Sequence, residues 1–293
     1  IIYAGPTQLD FDMLTIRMMI IYNFAFSLVF TSPFYMVTTR HISNLIYMKQ
    51  VGSVSKTLLH TLFWSTVFQL PIVGFFYFTQ FEISPTLAIL STVNYMAIAY
   101  LWVVMVYLSA LKDFTSVAVI FGIGMTLAAF LSISLLQVYG PTGLLFGFTV
   151  GVIAIVFMII AKVFHEYPTK GYTGTVKLRS IYWRYRDLAL SATLYNAAIW
   201  SDKWVMWLAP ESITLPSGFA MNIPYDSAMF LAYLTVVPAL ALFVFSVETN
   251  FYPHYLAYIR SLQGKFTGEE IQEFYDEMMD VMLKNTRNFI VLQ

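Results

Sequence analysis

The chain has no cysteine. That absence removes disulfides, thiolate metal sites and cysteine nucleophiles, and it leaves the redox compartment open. Charge is nearly as scarce: Asp, Glu, Lys and Arg make up 11% of 293 residues, where an average soluble domain carries about 25%. So few charges could not cover a globular surface, so the solvent around this chain is largely lipid. Net charge is zero, so there is no basic footprint for nucleic acid. Catalytic signatures are missing too. The chain has no Gly-rich phosphate loop, no Gly-x-Ser-x-Gly elbow and no His-Glu-x-x-His. The four histidines, His41, His60, His165 and His254, are scattered and make no metal set. No cofactor and no enzyme activity are expected.

Apolar residues are abundant. Hydrophobic residues reach 59% and aromatics 18%, and the mean hydropathy is +0.70. A spanning helix needs about 20 mostly apolar residues. Seven runs qualify: 17–38, 57–80, 85–111, 115–137, 142–161, 188–208 and 227–247. An eighth begins near Phe289. The expected fold is all-α, a polytopic transmembrane bundle of about seven complete spans plus the start of an eighth. The first residue is Ile1 and Gln293 falls inside an apolar run. Residues 1–293 are therefore expected to be a single transmembrane domain fragment of a larger bundle. The connectors agree with the spans. Ser84 before Pro85 reads as an N-cap with proline at the first helical position. Tyr139-Gly140-Pro141-Thr142-Gly143 reads as a tight turn.

The basic residues orient the bundle. Alternating the gaps puts Arg40, Lys49, Lys56, Lys112, Lys162, Lys170, Lys177, Arg179, Arg184, Arg186, Arg260, Lys265, Lys284 and Arg287 on one side. The gaps on the other side receive none. Arg17 and Lys203 lie in or beside spans. By the positive-inside rule, loops 39–56, 112–113, 162–187 and 248–288 are cytoplasmic, and 1–16, 81–84, 138–141 and 209–226 face outward. The inner segment 162–187 is a basic connector. The inner segment 248–288 holds the capping-box pattern Thr267-Gly268-Glu269-Glu270, then an acidic amphipathic helix with Ile271, Phe274, Met278 and Met282 on one stripe. That helix either lies along the bundle's inner face or docks a cytoplasmic partner.

The strongest local signal is Trp200-Ser201-Asp202-Lys203-Trp204 inside the sixth span. A charge at the centre of a span costs at least about 2.5–3.5 kcal/mol. Lys203 can reach outward along its stem. Asp202 is too short for that, so it either sits at a shallow boundary or lines a polar conduit. Asn23, Asn94 and Asn196 are amides within spans, expected to bond to neighbouring helices. Pro33, Pro71 and Pro238 fall inside spans, and each is expected to free one backbone carbonyl and kink its helix. Thr31, Ser32, Gln69 and Thr235 stand close enough to cap such groups. Gly143, Gly147 and Gly151 repeat every four residues on one face, a pattern for close helix packing.

Three stretches carry a resemblance. One is Thr31-Ser32-Pro33 leading into Thr38-Thr39-Arg40-His41-Ile42-Ser43 and Ile46-Tyr47. The second is Tyr195-Asn196-Ala197-Ala198-Ile199-Trp200-Ser201-Asp202-Lys203-Trp204-Val205-Met206-Trp207. The third is Pro238-Ala239-Leu240 running to Val247-Glu248-Thr249-Asn250-Phe251-Tyr252 and Tyr255. In kind and order they resemble the PelG family of Pel exopolysaccharide transporters, within the superfamily of polysaccharide flippases and multidrug extruders. The resemblance covers nearly the whole chain. It implies a two-lobed, flippase-like fold of about twelve helices, with the basic segment 162–187 between lobes. It implies export of an amino-sugar polymer across the bacterial cytoplasmic (inner) membrane during biofilm matrix synthesis. The implied partners are membrane lipid, the polysaccharide, a cytoplasmic glycosyltransferase and membrane regulatory subunits. The substrate-path candidates are then Asp202, Lys203, Trp200, Trp204, Asn196, Glu248 and Arg40. Asp202 or Glu248 would offer negative charge to a cationic polymer, and Trp200, Trp204 and Trp207 would stack on sugar faces. Two other readings stay open: a membrane scaffold anchoring a polysaccharide synthase through 248–288, and a membrane-embedded transferase on lipid-linked sugar. The inner loops hold no Asp-x-Asp pair for such a transferase.

Overall fold

A computed structural model describes residues 8–111, 113–168, 178–264 and 266–292. Lys112, Lys170, Lys177, Lys265 and the stretch 169–177 of the basic connector lie outside the described residues. The chain divides into two compact units, Ile1–Met221 and Asn222–Gln293.

The first unit holds α1 (Gln8–Tyr47), α2 (Val54–Thr79), α3 (Pro85–Leu111), α4 (Phe114–Tyr139), α5 (Pro141–Glu166), α6 (Leu178–Arg184), α7 (Arg186–Trp207) and a short hairpin, β1 (Ile213–Thr214) with β2 (Ala220–Met221). Five helices among the described residues are long and apolar enough to cross a membrane: Phe11–Tyr47, Val51–Thr79, Pro85–Tyr107, Thr115–Tyr139 and Pro141–Glu166. The chain is an all-α, multi-pass membrane protein. α7 occupies the place of the expected sixth span but carries Asn196, Asp202 and Lys203.

α3 is the central helix and packs on α1, α2 and α5. Its residues Tyr95 to Ala99 are buried without a break, as a helix that is apolar on every side should be. α4 packs chiefly on α5 and shows most of its surface to the surroundings. The α4–α5 contact is close because of glycine. A Cβ on Gly147 would stand 2.3 Å from the backbone nitrogen of Ser132, and one on Gly143 would stand 2.2 Å from the Leu135 carbonyl oxygen. A Cβ on Gly151 would meet Ala128 Cβ at 2.3 Å. Ser132 Oγ closes the seam by donating to the Leu144 carbonyl at 3.0 Å. At one end Lys162 Nζ lies 3.0 Å from both Asp113 Oδ2 and Glu166 Oε1. Asp113 also caps α4, accepting from Ser116 N at 3.1 Å and Ser116 Oγ at 2.6 Å. The Ser116 bonds first, and Lys162 after them, hold the Asp113 carboxyl well below the usual carboxylate range.

Two apolar clusters fill the unit. One gathers Ile42, Leu45, Leu58, Val104, Tyr107, Ile155 and Ile159. The other gathers Met18, Met19, Val73, Tyr95, Leu145, Trp207 and Phe219. Between them along the helices lies a layer of buried polar groups. Asn23, 1% exposed, donates to the Ser91 carbonyl at 3.2 Å and to Asn94 Oδ1 at 2.8 Å. Asn94 donates to Thr149 Oγ1 at 3.0 Å, and the Tyr77 hydroxyl donates to Asn23 Oδ1. Gln69 forms a second hub. Its Oε1 accepts from Tyr95 OH at 2.9 Å and Thr31 Oγ1 at 3.3 Å, and its Nε2 donates to Ser65 Oγ at 2.6 Å. Hydrocarbon cannot satisfy polar groups, so those at this depth must satisfy one another. The expected role of Asn23 and Asn94 as inter-helix bonds is what the structure contains.

The helices run through their prolines. At Pro33 the carbonyl left without its amide partner is that of Val29, and Ser32 Oγ donates to it at 2.7 Å. Thr31 instead serves Gln69, and Thr235 donates to Ala232 at 2.7 Å rather than to the Leu234 carbonyl that Pro238 frees.

The second unit begins with α8 (Ile223–Ser246), capped by Asn222 Oδ1, which accepts from Tyr225 N at 3.2 Å. A π turn, Val247–Phe251, carries α8 directly into α9 (Tyr252–Gln263). α10 (Gly268–Leu292) folds back on α9. The segment 248–288, expected as a loop with one helix, is therefore helical nearly throughout. The capping box is present: Thr267 N donates to Glu270 Oε2 at 2.7 Å and Glu270 N donates to Thr267 Oγ1 at 3.3 Å. Those contacts, the Thr267 backbone bond first, lower the Glu270 carboxyl below its ordinary value. Tyr258 meets Tyr275 at 5.7 Å and Phe266 meets Phe274 at 5.8 Å between ring centres. Asn285 closes the far end, accepting from Ser246 Oγ at 2.8 Å. No break separates the acidic helix from the apolar run expected to start near Phe289.

Candidate functional site

α7 lies antiparallel against α1, and the sequence-marked residues sit along this seam. Reading from one end, Asn44 Nδ2 donates to Tyr185 OH at 3.0 Å. Asn196, 4% exposed, donates to Tyr35 OH at 2.9 Å and to the Ala192 carbonyl at 2.8 Å. Ser32 Oγ approaches Thr193 Oγ1 at 3.4 Å. Beyond them the seam turns aromatic. Trp204 stacks on Phe26 with centres 5.4 Å apart, and Trp207 stacks on Tyr22 at 4.3 Å.

Asp202 and Lys203 interrupt this aromatic stretch. Neighbours at i,i+1 point to different sides of a helix, and their surroundings differ. Asp202 is half-buried, and its Oδ1 accepts from the Lys203 backbone nitrogen at 2.7 Å. Lys203 is 8% exposed, and its ammonium lies 5.8 Å from the centre of the Trp200 ring. The expectation that Lys203 would stretch outward is therefore reversed: it is the more buried of the two. Cation–π attraction to Trp200 gives its charge a favourable seat. Trp207 is only 5% exposed and its face is covered by Tyr22, so it offers no free face to a sugar.

The remaining candidates stand apart. Arg40 is exposed near the other end of α1. Twelve residues of helix, about 18 Å at 1.5 Å per residue, separate its level from that of Asp202. Glu248 belongs to the π turn of the second unit, and its side chain lies outside the described residues.

The hairpin beside this site had no forecast. Pro216-Ser217-Gly218 forms its tip, with Gly218 at φ 89°. Leu215 N donates to the Phe219 carbonyl at 2.9 Å. The tip is held down from three sides. Glu82 N donates to the Ser217 carbonyl at 3.1 Å, Thr15 Oγ1 meets Ser217 Oγ at 2.9 Å, and Tyr22 OH donates to the Ala220 carbonyl at 3.0 Å. Phe219 stacks on Phe81 at 4.0 Å. The hairpin thus covers the end of the first unit where the Trp204–Trp207 stretch finishes.

Two cavities open here. A polar one of about 340 Å³ lies among Asp12, Thr15, Glu82, Ser84, Thr142 and Ser217. An apolar one of about 120 Å³ lies among Tyr22, Asn23, Phe26, Ile72, Phe76 and Tyr77. Tyr22 and Phe26 therefore form a shared wall, with the apolar cavity on one side and the tryptophans of α7 on the other. Among the described residues no group of His, Asp or Glu could hold a metal ion.

No curated protein and no solved structure matches the chain. A family model does, over residues 8–293, and its description reads "Putative exopolysaccharide Exporter (EPS-E)". An apolar multi-helix chain is in keeping with that description, and the chain belongs to the PelG family of exopolysaccharide exporters.

Proposed function

We propose that this chain forms part of an exporter that carries an amino-sugar exopolysaccharide across the bacterial cytoplasmic membrane. In this reading α7 borders the conduit, loops 39–56, 112–113, 162–187 and 248–288 face the cytoplasm, and the basic segment 162–187 joins two lobes. The observation that carries it is the Asp202–Lys203 pair in α7. Both charges lie beside an apolar bundle, and ionisable groups kept at membrane depth mark substrate paths more often than packing. Asp202 attracts the ammonium groups of a partly de-acetylated polymer. Asn196 and the tryptophans supply hydrogen-bonding edges and apolar surface beside it. The carboxylates of Asp12 and Glu82 at the polar cavity extend the same attraction to one end of the path.

The test is Asp202→Ala in the complete exporter, with secreted polymer measured against exporter abundance. Export falls at least tenfold at normal abundance. Unchanged secretion removes Asp202 from the path.

A second reading is favoured by one feature. Glu269, Glu273, Asp276, Glu277 and Asp280 line an exposed face of α10. In a scaffold that anchors a cytoplasmic glycosyltransferase, this face would meet a basic surface of the enzyme. Loss of export by Asp202→Ala with the synthase still attached separates the two readings.

A further inference from the structure

Trp200, Trp204 and Trp207 recur at spacings of four and three, so they share one stripe of α7. The indole Nε1 of each is buried and has no hydrogen-bond partner among the described residues. Buried donors are almost always satisfied, and each one left unmade costs stability. Three in a row along one helix is an arrangement that a ligand rich in acceptor oxygens would complete.

One face of each ring is already in use. Phe26 covers a face of Trp204, Tyr22 covers a face of Trp207, and the Lys203 ammonium lies over Trp200. The N–H edge of each takes part in none of these contacts. An indole N–H donates and never accepts, so its partner must bring a lone pair. Sugar hydroxyls and acetamido carbonyls do so. A protonated amine, which only donates, does not.

We propose that Trp200, Trp204 and Trp207 form a file of donors that binds the acceptor oxygens of the polymer, its acetamido carbonyls and hydroxyls, when α7 parts from α1. Recognition is by edge and not by ring stacking, and it complements Asp202, which addresses amines. This inference rests on the export reading above.

The experiment replaces each tryptophan by phenylalanine, singly and together, in the complete exporter in its own membrane. Phenylalanine deletes the donor together with the second ring of the indole, so 3-benzothienylalanine, which keeps the bicyclic shape and lacks the N–H, is placed at each position as the matched variant. Secreted polymer is measured per exporter, and thermal stability is measured on the purified protein. Each single benzothienylalanine variant is expected to export several-fold less at unchanged or raised Tm, and the triple phenylalanine variant at least tenfold less. Wild-type export by Trp200→Phe/Trp204→Phe/Trp207→Phe overturns the proposal, as does a lowered Tm of the benzothienylalanine variants, which would mean that a protein group already holds the donors. The exporter-deletion strain separates the two ideas. If it still secretes polymer, the export reading fails and this inference with it. If it secretes none while the triple variant secretes normally, the donor file alone fails.

Discussion

Asn23 shows how much a single side chain can hold in this bundle. Its amide donates to the Ser91 carbonyl and to Asn94, while its oxygen accepts from Tyr77. Three helices, α1, α2 and α3, meet on one residue. Asn23→Ala removes all three bonds and leaves the Tyr77 hydroxyl, 5% exposed, without its acceptor. A buried polar group stranded in this way costs about 1–3 kcal/mol. Thermal unfolding of the variant in detergent should show a Tm several degrees lower. An unchanged midpoint would mean that water reaches this layer and takes the place of the amide. Lys203 teaches a related lesson. A long cationic stem permits an outward reach, but the Trp200 face offers the charge a nearer seat, and only tertiary structure reveals which option wins.

At the scale of elements, the α4–α5 pair depends on how near two backbones can come. Gly147→Ala puts a methyl group where the Ser132 backbone nitrogen already is, and a backbone cannot turn aside. The helices must separate, so the variant should lose thermal stability and accumulate poorly. Gly122→Ala is the control, since nothing lies within 4 Å of the added methyl, and alanine favours helix over glycine by about 1 kcal/mol. Equal behaviour of the two variants would show that the glycine face is not the contact. This glycine pattern was legible in sequence, because a repeat of four survives translation into a helix face. So were α3, α4 and α5, whose apolar runs end at turn and cap signals. α1 runs nine residues past its expected end at residue 38, because a helix continues through polar residues where its neighbours support it. The hairpin at 213–221 escaped notice because strands of two residues carry no periodicity. The α1–α7 seam was half legible. Asn196, Trp200, Asp202, Lys203 and Trp204 stand out on α7 by composition, but their partners Tyr22, Phe26 and Tyr35 look like any other aromatic residues in a span.

For the whole molecule, the proposed orientation follows from where the basic residues lie, and the absence of cysteine from residues 1–293 lets single cysteines report on it. Ser43 and Ser180 are exposed on α1 and α6, toward the end expected to be cytoplasmic. Thr214 is exposed on the hairpin at the opposite end. In intact cells a membrane-impermeant maleimide should label Thr214→Cys. Ser43→Cys and Ser180→Cys should stay unlabelled until the membrane is opened. The reverse pattern would invert the topology proposed for the first unit.

The bond from Asn94 to Thr149 spans 55 residues of chain. A ribosome adding about 5–20 residues per second needs roughly 3–11 seconds to cover that interval. During that time α1, α2 and α3 exist without α5, and one side of the Asn94 amide has no protein acceptor. Its oxygen is already held by Asn23 of α1, so a single N–H waits for Thr149, and the arrival of α5 closes a bond that the first three helices leave open.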